Sequence, residues 1–161
     1  MKSTNGINMG QLLQYSVVAA LGGLLFGFDI AIITGAGPFL TETFGLNSIQ
    51  EGWAYSSLLF GCILGAAVAG RMTDKWGRKR ILIGVALVFA LTSVWSAVAN
   101  NLTMLVIARI SGGLAVGAAS TVAPMYISEV SPAKFRGSLV SMYQLFIMTG
   151  ILVSYIINYL L

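Results

Sequence analysis

Apolar residues fall in five long runs separated by short polar gaps, at Tyr15–Gly37, Gly52–Ala69, Ile81–Ala99, Leu102–Tyr126 and Leu139–Leu160. A helix needs about 20 apolar residues to cross a bilayer's hydrocarbon core, and each run approaches or exceeds that length. The pattern predicts an all-α integral membrane chain of five transmembrane helices. Residues 1–14 are expected to form a short cytoplasmic N-terminus, and residues 15–161 the membrane-embedded part. The first run is too long, and too far from Lys2, to read as a cleaved signal peptide.

The gaps carry the orientation. GRMTDKWGRKR, from Gly70 to Arg80, packs six charges into eleven residues. Of nine Lys and Arg residues, Lys2, Arg71, Lys75, Arg78, Lys79, Arg80, Lys134 and Arg136 lie in alternate gaps, and Arg109 alone is inside a run. This positive-inside asymmetry places the N-terminus and the Gly70–Arg80 loop in the cytosol. Thr41–Glu51 becomes an external loop whose charges are Glu42 and Glu51.

Composition narrows the function. The chain is 57% hydrophobic and 9% charged, and its net charge of +4 is accounted for by loop orientation and anionic lipid, with no nucleic-acid partner implied. Cys62 is the only cysteine and histidine is absent, so there is no thiolate metal site, and carboxylates are the groups suited to exchanging protons near neutral pH. No nucleophile and base pair or metal-ligand cluster stands at useful spacing, which argues against an enzyme. Gly23, Gly27, Ala31 and Gly35 recur every four residues, as do Gly61 and Gly65, and Gly113 and Gly117. Such ridges let helix backbones approach closely in lipid. Pro124 is expected to bend or loosen the fourth helix.

Asp29 and Arg109 are the ionisable groups deep within the runs. Either at mid-bilayer costs at least about 2.5–3.5 kcal/mol and therefore needs a partner or a water-filled cavity. Asp29 lies nine residues inside Pro38 and Arg109 eight inside Asn101, depths of about 13 and 12 Å that allow them to pair. The pair reads either as a static tie between helices or as a carboxylate that alternately binds a proton and arginine. Gln144, about 12 Å from the cytoplasmic face, offers an uncharged amide suited to a polyhydroxyl ligand or to an interhelical hydrogen bond. Asn158 suits an interfacial or interhelical contact.

Several motifs together resemble the sugar porters of the major facilitator superfamily, which include proton-coupled xylose and glucose symporters and facilitative glucose transporters. GGLLFGFD at Gly22–Asp29 is similar to their first helix, and GRMTDKWGRKR to the loop between helices two and three. ARISGGLAVGAASTVAPMYISEVSP at Ala108–Pro132, Arg136-Gly137, and QLFIMTGIL at Gln144–Leu152 are similar to the fourth helix, its following loop and the fifth helix.

The resemblance implies roles. Asp29 matches the proton-linked aspartate and Arg109 its partner; Gln144 matches a sugar-binding glutamine and Phe26 an aromatic residue lining the sugar cavity. Asp74, Arg78, Glu129 and Arg136 resemble a cytoplasmic gate network. Ile151 stands where the xylose transporter has a second glutamine, which favours a hexose over a pentose. The implied activity is proton-coupled monosaccharide symport in a bacterial inner membrane, with protons as coupling ion and no cofactor. Facilitated sugar uniport, or a non-transporting fragment or sugar sensor, are the alternatives. Sugar porters have two six-helix halves built from inverted three-helix repeats, so the chain is expected to be five helices of the N-terminal half, lacking its partner C-terminal half.

Overall fold

The computed structural model describes residues 9–160, which form five helices: α1 (Met9–Phe44), α2 (Ser48–Trp76), α3 (Arg78–Ala97), α4 (Leu102–Val130) and α5 (Arg136–Leu160). Lys2 and the first part of the expected N-terminal stretch lie outside the described residues. All five helices have the length and apolarity to cross a membrane.

The helices run past the apolar segments, because backbone hydrogen bonding does not stop where side chains turn polar. The segment Gly70–Arg80 is therefore not an open loop. α2 continues to Trp76, α3 starts at Arg78, and a single residue, Gly77, makes the turn at φ +82°. A positive φ is open to glycine at no steric cost. The Thr41–Glu51 gap likewise shrinks to three residues, closed by a capping box. Asn47 Oδ1 accepts from the Ile49 and Gln50 amides at 3.1 and 2.9 Å, and Gln50 Oε1 accepts from the Asn47 amide at 3.0 Å. Asn101 caps α4 by accepting from the Met104 amide at 2.8 Å. Pro38 lies within α1. It removes one donor, the partner of the Thr34 carbonyl, and the helix carries on to Phe44.

α4 is the hub and packs against all four other helices, most extensively against α2, while α1 pairs chiefly with α5. Half of the α4 span is buried within the chain, against 11% of the α3 span. Ile83, Leu87, Leu91 and Val94 leave α3 with an exposed apolar face, as lipid requires.

The glycine ridges set both close pairings. An added Cβ at Gly61 would strike the Ile110 carbonyl, one at Gly113 the Leu58 carbonyl, and one at Gly117 the Cys62 backbone. Across α1 and α5, a Cβ at Gly27 would strike the Ile147 carbonyl and one at Gly150 the Leu24 carbonyl. Each pair runs parallel and in register, backbone against backbone.

Candidate functional site

Arg109 projects from α4 at a place where small neighbours, Ala108, Gly112 and Gly113, let adjacent helices come close. Its side chain is 5% exposed and the facing Asp29 side chain 22%. Arg109 Nη1 stands 3.5 Å from Asp29 Oδ1, and Nη2 donates to the Asp29 backbone carbonyl at 3.4 Å. Two residues separated by 80 positions are thereby joined across α1 and α4. Both contacts exceed the usual ~2.9–3.0 Å of an N–H···O bond, so the guanidinium holds both the carboxylate and the main chain beside it loosely. Arg109 Nε has no hydrogen-bond partner among the described residues. A half-shielded carboxylate against a fixed cation is chemically suited to alternating between proton and arginine.

Phe26 is half-buried on α1, three residues from Asp29, while Gln144 is exposed on α5. The register that sets Gly27 against Ile147 places Phe26 and Gln144 within one turn of each other in depth. Ile151, seven residues beyond Gln144, shares its stripe on α5. Among the described residues, no hydrogen bond joins Gln144 to the ion pair.

At the cation-bearing end, Arg78 joins three elements. Its Nε lies 3.0 Å from Glu129 Oε1 at the end of α4, its Nη2 is 3.5 Å from Asp74 Oδ1, and its Nη1 donates to the Thr73 carbonyl at 3.4 Å. Arg136, the first residue of α5, is the exception: it makes no ion pair among the described residues. Asn158 makes an interhelical contact, donating from Nδ2 to the Ala31 carbonyl at 3.3 Å. No cluster suited to a metal ion occurs among the described residues.

Tyr143 is a buried polar group that the sequence did not single out. Its side chain is 5% exposed and its hydroxyl has no partner among the described residues. The available signal was a phenol inside an apolar span, a group that ordinarily needs a hydrogen-bond partner when buried.

Five apolar helices with a buried ion pair, glycine seams and a charged junction define part of a multi-span membrane transporter. The chain belongs to the sugar (and other) transporter family, which matches residues 15–161. It is 42% identical to the arabinose-proton symporter of Bacillus subtilis (strain 168) over 96% of this chain and 33% of the relative. It is 48% identical to the galactose-proton symporter of Escherichia coli (strain K12) over 86% and 30% of the respective chains. The proton:xylose symporter XylE bound to 6-bromo-6-deoxy-D-glucose superposes with a TM-score of 0.88 at 36% identity, over 95% of this chain and 38% of that one. XylE from E. coli in an inward open conformation gives 0.84 at 36% identity, over 92% and 40%. The chain thus spans about a third of the length of the curated relatives it matches. These are transporters of the major facilitator superfamily, not enzymes.

Proposed function

We propose that the protein containing this segment imports a monosaccharide with a proton by alternating access. Asp29 is the proton-binding carboxylate and Arg109 the cation that competes with the proton for it. Gln144 and Phe26 contact the sugar, and Ile151 in place of a second amide favours a hexose. Asp74, Arg78, Glu129 and Arg136 form the cytoplasmic gate, which opens by separating ion pairs. The N-terminus faces the cytosol of a bacterial inner membrane, and a C-terminal half completes the sugar cavity.

The observation that carries this reading is the Asp29–Arg109 pair, a carboxylate and a guanidinium spanning α1 and α4 within the membrane. A static tie would serve packing alone, but Asp29 keeps 22% of its side chain accessible, as an exchanging group requires. The functions of these relatives, proton symport of arabinose and of galactose, support the same assignment. In the complete transporter, Asp29→Asn is expected to abolish uphill sugar accumulation while leaving sugar exchange intact. Accumulation retained by that variant refutes the coupling role, and wild-type uptake indifferent to an imposed pH gradient selects facilitated diffusion instead.

A further inference from the structure

The seam between α1 and α5 fixes which side chains of the two helices share a face. An added Cβ at Gly23 would strike the Tyr143 carbonyl, and one at Gly27 the Ile147 carbonyl, so the helices run parallel with residue 27 beside residue 147. At about 100° per residue, Phe26 lies about 100° back from Gly27 on α1, and Gln144 lies about 60° forward of Ile147 on α5. Parallel helices turn in the same sense, so positions back from the seam on one and forward of it on the other emerge on the same side. Phe26 and Gln144 therefore share one side of the seam. By the same count Ile151 and Tyr155 lie about 40° and about 80° forward of Ile147, on that side too.

Depth follows from the same register. Asp29 is level with Thr149, so Gln144 stands five residues, about 8 Å, toward the cation-bearing end from the ion pair, and Tyr155 six residues, about 9 Å, the other way. Tyr155 is 54% exposed although it lies five residues inside the end of α5 at Leu160. Between Gln144 and Tyr155 the stripe carries Met148 and Ile151, both apolar. A polyhydroxyl ligand on this face of α5 thus finds its next uncharged hydrogen-bonding side chain at Tyr155. A phenol suits such a ligand twice over: its flat ring covers the C–H bonds of a pyranose, and its hydroxyl both donates and accepts. Eleven residues, about 17 Å, separate Gln144 from Tyr155. That is more than one monosaccharide spans, so the two side chains meet the sugar in succession.

We propose that Tyr155 is an entry contact for the sugar. A hexose arriving from the end opposite the cations stacks on the Tyr155 ring and bonds its hydroxyl, then passes the level of the ion pair to reach Gln144. The proposal rests on the reading of Gln144 and Phe26 as sugar contacts and adds a residue that selects the sugar earlier on its path.

The test measures initial uptake of D-glucose, D-galactose and their monodeoxy analogues by the complete transporter reconstituted in liposomes. Tyr155→Phe is expected to raise the half-saturation concentration roughly 2–10-fold, the loss of one hydrogen bond, with the maximal rate and the protons moved per sugar unchanged. The analogue lacking the bonded hydroxyl should not distinguish the variant from the wild type. Tyr155→Leu, which removes the ring as well, should raise the half-saturation concentration further. Tyr159→Phe, at a position 90% exposed at the end of α5, should change nothing. Wild-type half-saturation in both Tyr155 variants overturns the proposal. An equal loss for every analogue marks a packing effect and overturns the contact, and an equal effect of Tyr159→Phe marks interfacial anchoring and does the same. If Gln144→Ala keeps wild-type half-saturation, the sugar-site reading itself has failed and the proposal falls with it, an outcome separable from the others because Tyr155 is untouched.

Discussion

Alanine at Gly113 and alanine at Gly84 add the same methyl group to two helices, and the structure predicts different consequences. At Gly84, on the exposed side of α3, an added Cβ meets nothing within 4 Å. At Gly113 it would overlap the Leu58 carbonyl oxygen and stand 3.0 Å from the Gly61 Cα. These are backbone atoms of α2 and cannot swing aside, so the two helices must separate along the seam. Glycine to alanine favours any helix by up to about 1 kcal/mol, and that gain cancels between the two variants. What remains is overpacking, about 1–3 kcal/mol, as the expected stability difference. Unfolding in mixed micelles, followed by circular dichroism, measures it. Gly61→Ala combined with Gly113→Ala should cost less than the sum of the two, because one separation relieves both clashes. Equal stability of Gly113→Ala and Gly84→Ala would refute the claim that this seam is close-packed.

Removing Arg109 as Arg109→Leu leaves Asp29 buried without its cation and should cost about 3–5 kcal/mol; adding Asp29→Asn should recover part of that loss in the same unfolding assay. Arg78→Gln breaks an exposed network, with Asp74 and Glu129 side chains 74% and 48% accessible, so stability should move by less than about 1 kcal/mol. Its effect should appear instead in how readily the cation-bearing end opens, read by the accessibility of cysteines introduced there. Gly35→Ala would clash first with the Asn158 side chain, whereas Gly27→Ala would clash with the Ile147 backbone. Asn158→Ala should therefore rescue Gly35→Ala and leave Gly27→Ala unrescued, as measured by unfolding temperature.

The five spans were legible because lipid demands unbroken apolar runs, and the depths of Asp29 and Arg109 followed from counting residues between polar markers. The ridges at Gly61 and Gly113 announced smooth faces, but smoothness does not name a partner, and the α2–α4 and α1–α5 pairings appear only in three dimensions. Helix ends were misplaced wherever polarity was taken for coil. Lys75 and Trp76 are helical because their amides still pair with the preceding turn, and Gly77 breaks the helix through its φ, not its charge. Arg136 carried a motif resemblance but makes no ion pair among the described residues. The second hold of Arg109, on the Asp29 carbonyl, was illegible because every residue has a carbonyl, and sequence does not say which one a guanidinium will reach.

The 80-residue separation between Asp29 and Arg109 also bears on biogenesis. At ~5–20 residues per second, the ribosome needs roughly 4–16 s to make the intervening chain. Through that interval α1 has neither the arginine nor α5, its main packing neighbour, since both are synthesised later. The nascent acid must be tolerated on α1's own apolarity, in a neutral form or at a watery margin of the insertion machinery. Assembly is then gated by the arrival of α4, which brings the cation to Asp29 and the glycine face to α2 in a single event.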